Sequence, residues 1–161
     1  MLDDAGQALF RLGRIFSKQP LHQLLAQPTG CAVELSRILA VQAVGAGPEE
    51  PDREVTVGVV ADRLGVDPST ASRLVAETIR DGYLARAASP VDARRVPLEL
   101  TPAGRALAED ARRYQRAVFE HVTRDWSERE RDEFARLFVK FADAVAEART
   151  GLATPDAHAQ R

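Results

Sequence analysis

The stretch Asp67-Pro68-Ser69-Thr70-Ala71-Ser72-Arg73-Leu74-Val75 decides how this 161-residue chain is read. Aspartate followed by proline places an N-cap beside a first-turn proline, so a helix is expected from Pro68. It should run to Asp81, with Gly82 as the left-handed residue that ends it. Just upstream, Thr56 can cap a shorter helix, Val57 to Leu64, whose apolar positions Val60, Ala61 and Leu64 share a face. Gly65 stands where that helix must stop. Two helices separated by Gly65-Val66-Asp67 have the spacing of a helix-turn-helix.

Beyond Gly82 the apolar period changes from helical to two. Val96, Leu98 and Leu100 alternate with Arg95, Pro97 and Glu99, as in a half-buried strand. Tyr83 to Ala88 is the expected partner, joined through the turn residues Ser89-Pro90-Val91-Asp92-Ala93-Arg94. Pro97 has no N–H for a ladder and is expected to face outward on an edge. A hairpin this short must lean on the helices before it.

The flanks read as helices. Leu9, Leu12 and Phe16 continue a stripe begun at Ala5, up to an interruption at Pro20. The pair Leu24-Leu25 marks a brief resumption. Thr29 is the expected cap of a second helix through Leu35, Ile38, Leu39 and Ala43. Gly45 to Asp52 has the composition of an exposed acidic linker. At the other end, Thr101-Pro102 opens a helix with the stripe Leu107, Ala111, Tyr114, Val118 and Val122. Ser127 with Glu130 forms a capping box for the last helix, whose stripe is Phe134, Leu137, Phe138, Phe141 and Val145. Trp126, just before that cap, reads as a hydrophobic staple. The expected division is N-terminal helices over 1–46, a central domain over 55–100, C-terminal helices over 101–150 and a tail over 151–161.

Composition narrows the function. A chain that is 45% hydrophobic and 29% charged is globular, not disordered. The single cysteine, Cys31, excludes an intrachain disulfide and a Cys-rich zinc site, and fits a reducing compartment. No apolar run is long enough to span a bilayer, and Met1-Leu2-Asp3-Asp4 does not begin like a secretory signal. A soluble cytoplasmic protein without membrane association is expected. His22, His121 and His158 lack metal-ligand spacing, so neither metal nor cofactor is expected. A phosphate-cradling glycine loop, a nucleophile elbow and HExxH are all missing, which argues against an enzyme.

Net charge is −2, so nucleic acid cannot be held by bulk charge. Residues 55–100 carry six basic and six acidic side chains, and any grip on DNA must come from the placement of a few cations. The helix from Pro68 should enter a major groove N-terminus first. Ser69, Thr70 and Ser72 are short groups that permit close approach to phosphate. Arg73 is long enough to reach a base edge.

The element order is mainly α with a small β-hairpin, the layout of a winged helix-turn-helix flanked by long helices. The sequence resembles the MarR family of bacterial transcription regulators. The resemblance is carried by Asp67 to Val75, by Gly82-Tyr83-Leu84, by Ser89 to Arg94 and by Leu98-Glu99-Leu100-Thr101-Pro102-Ala103-Gly104. It implies a repressor that binds a palindromic operator in double-stranded DNA as a homodimer and is released by a small aromatic effector. It places Arg94 at the tip of a wing that enters the minor groove, braced by Asp92, with Arg86 and Arg95 as further wing cations. It also implies that the N- and C-terminal helices are dimerisation helices, through Leu9, Leu12, Phe16, Phe134, Phe138 and Phe141.

This sequence departs from the family pattern at three places. Ala93 stands where an arginine is common, Ala87 replaces a second basic residue, and Thr78 fills a position usually held by leucine, with Ile79 expected to share its packing. Two alternatives use other features. A winged helix without DNA binding could serve as a protein-interaction module, in which Arg73 and Arg94 would be dispensable. A redox sensor would use Cys31, whose thiol pKa a nearby helix start would lower.

Overall fold

A computed structural model describes residues 1–18, 34–48, 54–89 and 95–152, apart from the side chains of 16–18 and 149–152. Among these residues the order is α1 (Leu2–Lys18), α2 (Leu35–Gly45), α3 (Val57–Leu64), α4 (Pro68–Arg80), β1 (Leu84–Arg86), β2 (Leu98–Leu100), α5 (Pro102–Val122) and α6 (Glu128–Leu152). The chain divides into two units, Met1–Val118 and Phe119–Arg161.

Local chemistry explains the turn between α3 and α4. Gly65 takes a left-handed φ of 65°. Its N–H donates to Asp62 O, and the Val66 N–H donates to Ala61 O at 3.1 Å, the paired bonds of a Schellman stop. A side chain at position 65 would carry the steric cost of that conformation. Thr56 is the N-cap of α3 by position, but its side chain makes no capping bond. α4 ends in the same pattern, with Gly82 N–H to Ile79 O and Tyr83 N–H to Thr78 O.

The helix-turn-helix closes over one core. Val41 of α2, Val60 of α3, Val75 of α4, Leu84 of β1, Leu98 of β2 and Leu107 of α5 are all buried in it. Each such side chain contributes about 1.5–3 kcal/mol by leaving water. Ala71, Val75 and Thr78 line the inner face of α4 at steps of four and three. Thr78 is fully buried, and its hydroxyl is satisfied by the Leu74 carbonyl at 2.7 Å. The polar replacement thus costs the core no orphaned donor, and Ile79 packs half-buried beside it.

The hairpin is shorter than its alternation suggests. Leu84 pairs with Leu100 and Arg86 with Leu98, antiparallel. Val96 is exposed and Pro97 is buried, the reverse of the expected faces. The Pro97 carbonyl accepts from the Ala87 N–H at 2.9 Å, so this residue faces the partner strand. An antiparallel pair in this position exchanges two bonds, and proline can supply only one, which ends the ladder. Leu98 N–H donates outward to Val55 O at 2.8 Å, so β2 is bonded on both sides there.

Two further expectations change. α2 begins at Leu35, because Glu34 is extended with ψ of 138°; the proposed cap Thr29 lies outside the described residues. The α5 stripe stops at Val118, since Val122 is exposed. The Ser127–Glu130 capping box forms as read, with the Ser127 N–H and hydroxyl donating to Glu130 at 2.9 and 2.6 Å. Trp126 packs edge-on against Phe134 with ring centroids 5.1 Å apart, one turn beyond the usual staple position. No helix among the described residues is long and apolar enough to cross a membrane.

Candidate nucleic-acid interface

With Ala71, Val75 and Thr78 turned inward, the opposite face of α4 presents Ser69, Ser72, Arg73, Ala76 and Arg80, all exposed. Arg73 and Arg80 are seven residues apart and therefore lie on one stripe. Arg80 was not singled out from the sequence, although its spacing from Arg73 would have found it. Ser72 and Arg73 make no side-chain bond to another described residue, so their donors are available to a partner.

The helix start is differently arranged. Asp67 accepts from the Ser69 hydroxyl at 2.5 Å, from the Thr70 N–H at 2.9 Å and from the Thr70 hydroxyl at 2.6 Å. Both hydroxyl protons therefore point at the cap. Phosphate oxygens only accept, so in this arrangement Ser69 and Thr70 offer them no hydroxyl donor. Ser72 does.

Those bonds hold the Asp67 carboxyl far below the usual carboxylate range, the Ser69 hydroxyl contributing most and the Thr70 hydroxyl next. The Glu130 carboxyl is lowered in the same way by Ser127. A group whose folded pKa is depressed stabilises the fold fully above its ordinary value of about 4, and that contribution vanishes as pH falls through the folded value. An NMR titration should place the Asp67 carboxyl midpoint below that of an unstructured aspartate. A midpoint at or above the ordinary value would contradict the cap.

On the hairpin, Arg86 is exposed at the end of β1 and Arg95 is exposed ahead of β2. Asp92 and Arg94 lie outside the described residues, as do Cys31, His22 and His158. His121 is exposed in the last turn of α5. No group of three or more metal-ligating side chains occurs among the described residues.

α5 is anchored beneath the hairpin. The Thr101 N–H donates to Tyr83 O at 3.1 Å, its hydroxyl donates to Gly82 O at 2.6 Å, and the same hydroxyl caps Gly104 N–H at 3.0 Å. Gly104 lies so close to the Tyr83 carbonyl that a Cβ would sit 2.0 Å from its oxygen. Between the end of α2 and the hairpin is a cavity of about 510 Å³, lined in part by Val44, Val55, Leu98, Leu100 and Glu54. The Glu54 carboxylate oxygens are buried there without a hydrogen-bond partner.

The expected dimerisation residues are placed separately in the two units. Leu9 and Leu12 on α1 are exposed. Phe16 lies on α1, and its side chain is outside the description. On α6, Phe134, Leu137, Phe138, Phe141 and Val145 are 38–52% exposed. Phe134 stacks between Phe119 and Phe138, at 6.0 and 5.4 Å.

A helix-turn-helix with a two-stranded hairpin after its second helix, and an outward face bearing arginine and serine, is a winged helix-turn-helix. Comparison with known proteins finds the same fold in one family of regulators. A family model described as the MarR family matches residues 33–95. A MarR family protein from Bacillus stearothermophilus has a similar structure, with 26% identity, 90% of this chain and 98% of that chain covered, and a TM-score of 0.65. CouR from Rhodococcus jostii RHA1, solved with p-coumaroyl-CoA bound, is similar at 24% identity, 89% and 92% coverage and a TM-score of 0.64. The S. aureus MepR–DNA complex is similar at 20% identity, 86% and 96% coverage and a TM-score of 0.59. The comparison with curated proteins gave no match. The described residues have the fold of the MarR-family transcription regulators.

Proposed function

We propose that the protein is a homodimeric regulator that binds a palindromic operator in double-stranded DNA through α4 and the hairpin and represses transcription in the cytoplasm. The observation that carries this reading is the outward face of α4, where Arg73 is exposed and unpaired beside Ser72. A guanidinium so placed can bond guanine O6 and N7 together. Arg94, braced by Asp92, is assigned to the minor groove, and Arg86 and Arg95 to the phosphates that flank it. The MepR complex supports DNA as the partner, since that protein of like fold was solved on DNA.

The dimer rests on α6. A 25-residue helix that exposes Phe134, Leu137, Phe138, Phe141 and Val145 needs a partner surface, and a second copy supplies an identical one. A two-fold dimer sets two recognition helices about 34 Å apart, one turn of DNA. Phe138→Glu with Phe141→Glu in the full chain is expected to convert the dimer to a monomer by sedimentation, without loss of helix signal. A double variant that still sediments as a dimer would overturn the α6 assignment.

A small aromatic effector completes the proposal. CouR was solved with p-coumaroyl-CoA and MepR with ethidium, and these proteins of like fold support a small-molecule effector. Selection of bound fragments from genomic DNA tests the whole reading. Enrichment of a two-fold symmetric sequence is expected. Recovery of no preferred sequence would favour the interaction-module alternative.

A further inference from the structure

Arg37, in the first turn of α2, reaches across to the recognition helix. Its Nε donates to Asp81 Oδ2 at 2.8 Å, and Nη1 lies 2.8 Å from Glu77 Oε2 and 4.0 Å from Glu34 Oε2. The side chain is only 13% exposed, against 33% and 38% for Glu77 and Asp81. Those two carboxylates are four residues apart, Glu77 in the last turn of α4 and Asp81 at its C-cap, a spacing at which like charges repel unless a cation lies between them. A guanidinium bonds both from different nitrogens in one plane, whereas a lysine ammonium is a point charge without that fork.

The rest of α4 is held by Ala71, Val75 and Thr78 against the core. Apolar burial is non-directional and sets the depth of a helix better than its roll about its own axis. Roll matters at a reading site. A rotation of about 10° moves a side-chain tip some 6 Å from the axis by about 1 Å, beyond the roughly 0.5 Å tolerance of a preorganised contact. α2 itself is fixed at its other end, where Arg63 of α3 donates to Ala43 O and Gly47 O, both at 2.6 Å. Arg37 therefore works from an anchored body.

We propose that Arg37 is a positioning residue for DNA recognition: through Glu77 and Asp81 it fixes the roll of α4 against α2, and so the direction in which Arg73 points. This rests on the DNA-binding reading above. Its consequence is specific. Loss of the clamp should reduce discrimination between sequences more than it reduces attraction to DNA in general, because phosphate attraction tolerates a rolled helix and base reading does not.

The test uses a duplex selected by the wild-type protein from a random-sequence pool, a scrambled duplex of equal length, and full-length R37A, R37K, E77Q/D81N and the triple variant. The ratio of the two affinities is the readout, measured beside thermal unfolding. R37A should lower the ratio about tenfold, the scale of one lost base contact, chiefly through the selected duplex. R37K should restore little of it. The triple variant should match R37A, since the three side chains act as one unit. A ratio within twofold of wild type in R37A, equal losses on both duplexes, or losses that multiply in the triple variant would each overturn the clamp while leaving DNA binding intact. Failure of the wild-type protein to select any duplex would instead remove the DNA-binding reading and the clamp with it.

Discussion

Replacing Gly104 by alanine is expected to destabilise the first unit by about 3 kcal/mol, the upper range for overpacking against unyielding atoms. The added Cβ would meet the Tyr83 carbonyl oxygen at 2.0 Å and its carbon at 3.0 Å. That carbonyl is not free to retreat. It accepts from the Thr101 N–H, and Leu84, the next residue, is buried and paired with Leu100. Alanine would otherwise favour a helix over glycine by about 1 kcal/mol, so the measured loss is net of that gain. Urea unfolding of the full chain reads it directly. A change smaller than about 0.5 kcal/mol, the usual surface range, would mean that α5 does not approach the hairpin this closely.

Arg73→Ala is expected to have the largest effect on DNA. A bidentate contact to guanine carries about 1–3 kcal/mol of discrimination, and a dimer on a palindrome loses two of them, about 2–6 kcal/mol in all. Affinity for the operator should fall at least about thirtyfold on the 1.4 kcal/mol per decade scale, with weaker loss on unrelated duplex. Arg80 provides the contrast. It lies two turns along the same exposed face, towards the helix end that enters the groove last, so Arg80→Ala should weaken all duplexes alike and lower the dimer's salt slope by about two, one per subunit. Equal behaviour of the two variants would remove base reading from Arg73.

What was legible in the sequence was local. The Asp67 cap, the Gly65 stop and the Ser127–Glu130 box depend on residues within four positions of one another, so spacing alone reveals them. The distant contacts were not legible. Leu98 bonds Val55, 43 residues away, and that outside partner changes which faces Val96 and Pro97 present. Arg37 was not singled out from the sequence, because its carboxylates lie 40 and 44 residues on. Ser69 and Thr70 were assigned by residue type, yet their rotamers commit both hydroxyls to Asp67. Gly104 belonged to a recognisable motif, but its reason, the Tyr83 carbonyl, appears only when the chain is folded. Arg80 was within reach, since a seven-residue step from Arg73 marks a shared face.

Sequence-selective binding to DNA through the outward face of α4 is the central claim. The most direct measurement is a fluorescence-anisotropy titration of wild type, Arg73→Ala and Arg94→Ala onto the selected duplex and a scrambled control, at two salt concentrations. Tight wild-type binding to the selected duplex, lost in Arg73→Ala and weakened by about 1–3 kcal/mol in Arg94→Ala, is the predicted result. Wild-type binding that is equally weak on both duplexes, or full selectivity retained in Arg73→Ala, would contradict it.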